Sequence, residues 1–111
     1  MNTYVVIFRR QGQPLPHVET QRLNEETASW AKIQNNAGHK LEPRILSAQN
    51  AFRGPNEASV QSNIWTLSAL LFLEASDFNA ATQIAESHPG LHYGFNVEVR
   101  PWAKPGTPVA R

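Results

Sequence analysis

The chain contains no cysteine among its 111 residues. That absence excludes a disulfide framework, a cysteine-ligated zinc site and a thiol nucleophile. Charge of one sign is also missing: ten Lys and Arg stand against nine Asp and Glu, for a net charge of +1. Such a balance leaves no electrostatic footprint for a nucleic-acid backbone. No run reaches the roughly 18 apolar residues that a membrane span requires. The opening MNTYVVIFRR carries its positive charges behind a short apolar run, the reverse of a secretory leader. No glycine-rich phosphate loop is present, and none of the seven serines lies in a nucleophile-elbow sequence. The expectation is a cytoplasmic protein without metal or cofactor, with no nucleic-acid partner and no membrane partner.

What is present is organised around residues 67–102. Leu67 to Ala75 is an almost continuous apolar run. Leu67, Ala69, Leu71 and Leu73 point one way and Leu70 and Phe72 the other, as in a strand covered on both faces. Ser76-Asp77 follows as an N-cap pair. Phe78, Ala81, Ile84, Ala85 and His88 then fall at helical spacing, until Pro89 and Gly90 stop the helix. The last strand alternates: Tyr93, Phe95, Val97 and Val99 form an apolar row, and His92, Asn96, Glu98 and Arg100 a polar one.

The preceding residues read as a first copy of the same unit. Thr3 to Phe8 is a strand apolar on both faces. Arg10 to Gln21, with Pro14 and Pro16, reads as a long polar connection, either a plain surface loop or a lid over a pocket. A helix is expected from Asn24, with Glu25 and Glu26 in its first turn, Leu23, Thr27, Trp30 and Ala37 on its apolar face, and Gly38 just past its end. Lys40 to Ala48 reads as a second strand, placed at a sheet edge by Pro43. Gln49 to Asn63 is a polar loop or loose hairpin around Gly54-Pro55. The order strand–helix–strand–strand–helix–strand predicts a ferredoxin-like βαββαβ α+β domain over residues 1–102, two helices lying on one face of a four-stranded antiparallel sheet, followed by a Pro/Gly-rich tail over 103–111. Apolar residues on the other face predict a homodimer that stacks sheet on sheet, a dimeric α/β barrel.

The helix ending in His88-Pro89, then Gly94 and the VEVRPW ending, resembles the C-terminal half of the YCII-related (DGPF) family. The likeness runs more loosely over the whole chain. Trp30, in a helix ending near Gly38, resembles that family's first helix. Gly54-Pro55 resembles a remnant of its Asp-Gly-Pro-Phe turn, with Arg53 and Asn56 at the outer positions. The resemblance implies small proteins that pair as dimeric α/β barrels. Some members carry a His/Asp pair suspected of acid–base chemistry. Thr27 stands where that histidine would be and His88 where the aspartate would be, so the pair is absent.

The candidate site residues follow from chemistry. Arg100 is suited to hold a carboxylate, and a histidine to shuttle a proton near neutral pH. His88, His92 and Glu98 are the catalytic candidates, with the charged form of His88 favoured by a helix C-terminus. Arg100, Trp30 and Asn96 are the candidates for substrate binding. Against this stands an ion-pair network in which Glu98 and Arg100 are structural. His88 and His92 are four apart, but Pro89-Gly90 prevents one helix from presenting both to a metal. RNA binding is disfavoured because ALLFLEA lacks the Lys/Arg-Gly-Phe signature. The leading reading is a small-molecule-binding protein, in its sharper form a cofactor-independent enzyme acting on a small carboxylate-bearing or aromatic metabolite. The alternative is a non-catalytic dimeric interaction or regulatory module.

Overall fold

The computed structural model describes residues 1–11, 14–55, 65–103 and 105–106. The elements are β1 (Asn2–Gln11), α1 (His17–Asn36), β2 (Glu42–Ile45), β3 (Trp65–Ala75), α2 (Phe78–Glu86), a 3₁₀ turn (Pro89–Tyr93) and β4 (Phe95–Pro101). The strands form one antiparallel sheet in the order β2-β3-β1-β4. This is the ferredoxin-like α+β arrangement expected from the order of elements.

β1 lies at the centre. Tyr4, Val6 and Phe8 point to the helix layer and join Leu71 and Leu73 of β3, Trp30 of α1 and Ala81, Ile84 and Ala85 of α2 in one buried core. Val5, Ile7 and Arg9 alternate with them and face the opposite, open side. β2 is the edge strand that Pro43 required, and the proline sits opposite Leu71.

One irregularity re-phases β3. Register shifts between Phe8 and Arg9, so that Phe8 pairs with Ala69 but Arg9 pairs with Leu67. Ser68 is the extra residue, and its hydroxyl donates to the Phe8 carbonyl at 3.2 Å. Leu67 therefore leaves the row of Ala69, Leu71 and Leu73 and shares the open face with Arg9.

The first helix departs most from the sequence reading. It begins at His17, not Asn24, and no loop spans Arg10 to Gln21, because β1 runs to Gln11. Pro16 is the N-cap and Thr20 N–H already donates to its carbonyl at 2.9 Å. Proline needs no N–H donor at a helix start and presets the backbone there, so the prolines open this helix instead of prolonging a loop. Gly38 ends it as expected, with φ +94° and its N–H donating to the Asn35 carbonyl.

α2 starts at Asp77, whose carboxylate accepts from Ala80 N–H at 2.8 Å. The chain then makes a 3₁₀ turn before β4, so Tyr93 is not a strand residue. Its hydroxyl donates to Glu26 of α1 at 2.7 Å and ties the turn to that helix. That bond to a carboxylate is the main cause holding the Tyr93 hydroxyl above its ordinary pKa. Most of the loop over 49–63 and most of the 103–111 tail lie outside the described residues.

Candidate functional site

α1 stands away from the sheet and leaves a cavity of about 330 Å³ beneath it. α1 contributes Leu23, Asn24, Thr27, Trp30, Ala31 and Asn35 to the lining. Phe8, Ala69 and Leu71 form the floor, Pro43 and Ile45 one rim, and His88, Gly90 and Phe95 the opposite wall. Among the described residues, no Asp, Glu, Lys or Arg lines it. Of the six candidate residues, Trp30 and His88 line this cavity. The two positions that the family resemblance singled out, Thr27 and His88, also meet here.

His88 owes its place to its neighbours in sequence. Pro89 holds the residue before it in extended geometry, and His88 has ψ 132° as the N-cap of the 3₁₀ turn. Its Nδ1 accepts from Gly90 N–H at 2.9 Å. The ring packs 4.7 Å from Phe8 and 4.7 Å, edge-on, from Trp30. Burial among these apolar rings lowers its pKa from 6.5 to about 4. The imidazole is therefore neutral at physiological pH, opposite to what the helix dipole alone led us to expect. Desolvation dominates because the ring lies against aromatic groups and, among the described residues, gains no anionic partner.

Trp30 is the buried anchor of α1. Its indole N–H donates to Ser87 Oγ at 2.8 Å, and that hydroxyl donates to the Ile84 carbonyl. The indole donor is thus committed within the protein, and Trp30 offers the cavity only an apolar wall.

The other candidates lie elsewhere. Glu98 pairs with Ile7 and Arg100 with Val5, so both face the open side of the sheet, away from His88. Glu98 takes a 2.6 Å bond from Arg9 on one oxygen and a 2.6 Å bond from Arg100 on the other. These two bonds, Arg9 first, hold its carboxyl below the usual carboxylate range. Asn96 pairs with Arg9 on the same face, and His92 is exposed on the 3₁₀ turn. The signal for this separation was present in the sequence: Glu98 and Arg100 alternate with Val97 and Val99, which pack on the core. Residues missed by sequence reasoning are Asn24, Asn35 and Gly90, because nothing in their local pattern marks a cavity wall. Among the described residues, no three His, Asp or Glu side chains converge to hold a metal ion.

No protein-family model matches the chain, and no curated protein matches it. Among solved structures, it is similar to 5-chloro-2-hydroxyhydroquinone dehydrochlorinase from Burkholderia phenoliruptrix, determined in complex with 2,5-dihydroxybenzoquinone. The two share 14% identity at a TM-score of 0.50, over 89% of this chain and 93% of that one. What they share is the fold. No helix among the described residues is long and apolar enough to cross a membrane.

Proposed function

We propose that the protein binds a small, uncharged, largely aromatic molecule in the cavity under α1. The observation that carries this reading is the composition of the wall: Phe8, Trp30 and Phe95 supply aromatic surface, and among the described residues no charged side chain lines the space. Among the described lining residues a carboxylate would meet no cation, the Arg10 guanidinium standing behind the wall at 5.7 Å from the Phe95 ring centre, and burying an unpaired charge costs several kcal/mol or more. Arg100 is unavailable to compensate, being bonded to Glu98 on the far side of the sheet. The flat quinone ring in the structural neighbour supports a planar cyclic guest. The shared fold and the meeting of Thr27 with His88 in one cavity support kinship with the YCII-related proteins. Catalysis here would run through a neutral imidazole and the polar groups of Thr27, Asn24 and Asn35.

A thermal-shift series with phenol, acetophenone and benzoate tests the reading. The two uncharged rings are expected to raise the melting temperature and benzoate to leave it unchanged. Ala31→Leu, which fills the cavity from α1, should abolish both shifts. A response to benzoate alone, or shifts that survive Ala31→Leu, would refute an uncharged guest in this cavity.

We also infer that a second copy covers the open face of the sheet. Half-buried Ile7, Leu70 and Phe72 form its apolar centre around the already buried Val5, with Trp102 edge-on to Phe72 at 5.1 Å and still 58% exposed. Arg9, Glu98 and Arg100 border it on the β4 side, and Glu42 and Arg44 on the β2 side. An apolar centre inside a charged border is the composition of an interface. Sedimentation equilibrium is expected to give a dimer for the wild type and a monomer for Phe72→Asp. A monomeric wild type at high micromolar concentration would remove this inference.

A further inference from the structure

We infer that the cavity recognises a carbonyl-type oxygen, with His88 Nε2–H as the donor and Gly90 as the residue that fixes the ring. The inference rests on the binding reading above and specifies the chemical group the guest must present.

The argument begins with a backbone amide, which can only donate. Gly90 N–H points at His88 Nδ1 from 2.9 Å, so Nδ1 must carry a lone pair and no proton. The single proton of the neutral imidazole is therefore on Nε2. Among the described residues, Gly90 is the sole hydrogen-bond partner of the His88 side chain. Nor is His88 Nε2 a buried atom enclosed without a partner. His88 lines the cavity, and the cavity is the space its remaining N–H can serve. An N–H facing a mostly apolar wall gains most from a guest that accepts a hydrogen bond there. The low proton affinity of the ring agrees with this, since it keeps His88 a neutral donor across the physiological range.

Gly90 fixes the arrangement by its size. It has no positive φ, so its backbone does not call for glycine. The requirement is space: a Cβ at position 90 would lie 3.0 Å from His88 Nδ1 and 3.3 Å from its Cε1. A side chain there pushes on the imidazole and disturbs the bond that sets its tautomer. Gly90 is thus a positioning residue that acts through His88.

The test uses two probes of nearly equal shape, acetophenone and α-methylstyrene, in which a CH₂ group replaces the carbonyl oxygen. Affinities for both are measured by titration calorimetry on wild type, His88→Phe and Gly90→Ala. The ratio of acetophenone to α-methylstyrene affinity is expected to fall about tenfold from wild type to His88→Phe, the worth of one net hydrogen bond. α-Methylstyrene affinity should stay within about threefold in that variant, because phenylalanine keeps the aromatic wall. Gly90→Ala should lower the ratio in the same direction, and ¹⁵N spectra of the wild type should show protonated Nε2 and bare Nδ1 for His88. A ratio unchanged in His88→Phe, with both probes still bound, overturns the donor assignment and leaves the cavity reading standing. A proton found on Nδ1 overturns it as well. Failure of both probes to bind the wild type overturns the cavity reading itself.

Discussion

The two helices lie on the same face of the same sheet and do different things. α2 has nine residues and buries three of them, Ala81, Ile84 and Ala85. Its small side chains let the backbone come close, and Asp77 caps its start. α1 has twenty residues and buries only Trp30, with no side-chain cap at its start. Trp30 holds α1 against Ser87 and His88, beyond the end of α2, and space is left between the sheet and α1. The 330 Å³ beneath it follow from that difference. Tight packing at α2 holds the sheet, while loose packing at α1 makes room for a guest.

The comparison can be broken hardest at Trp30. Trp30→Ala removes the buried anchor of α1, its contact with His88 and its bond to Ser87. It is expected to cost about 3–5 kcal/mol in urea denaturation and to abolish cavity binding. Ile84→Ala on the other helix should cost about 2–4 kcal/mol and leave the affinity for an uncharged aromatic guest unchanged, which separates the two roles. A smaller effect comes from pH. The folded-state pKa of His88, about 4, lies below its ordinary 6.5. Above pH 6.5 both folded and unfolded His88 are neutral and its contribution is complete. As pH falls from 6.5 to about 4, the unfolded chain takes up a proton that the folded protein resists, and stability declines. Allowing for the solvent that reaches the ring, the loss is about 1–2 kcal/mol, and it should vanish from the pH profile of His88→Phe. Arg100→Ala should have the least effect: about 0.5 kcal/mol or less on stability, since its side chain is 67% exposed, and none on cavity affinity. Loss of guest binding in that variant would return Arg100 to the site.

The order of elements was legible because each boundary carries its own chemistry. Asp77 reads as a cap, Gly38 as a helix end and Pro43 as an edge-strand residue from local rules alone. The start of α1 was hidden because His17 to Gln21 has no apolar period, and the two prolines before it also suit a loop. Tyr93 seemed to continue the alternation of β4, but the 3₁₀ turn takes it out of the sheet and onto Glu26. At the site, His88 and Trp30 were singled out by residue type, and they line the same cavity. Their charge state and their partners depend on packing: the neutrality of His88 comes from burial against rings far away in the chain, Phe8 and Trp30. The cavity was not legible either, because it is the space left between α1 and the sheet and belongs to no single stretch of sequence.

The central position of β1 bears on how the chain is made. Its neighbours are β3 and β4, so Val6 finds its partners at Leu71 and Val99. During synthesis this apolar strand leaves the ribosome first among the four and waits with both edges unpaired until some 65 to 90 further residues have followed. Contacts of such long range form late, because the loop must close before the pairing stabilises anything. The nascent chain therefore presents TYVVIF as an open template to other strands for most of its elongation, and its yield in a cell should depend more on chaperones and translation rate than its final stability would suggest.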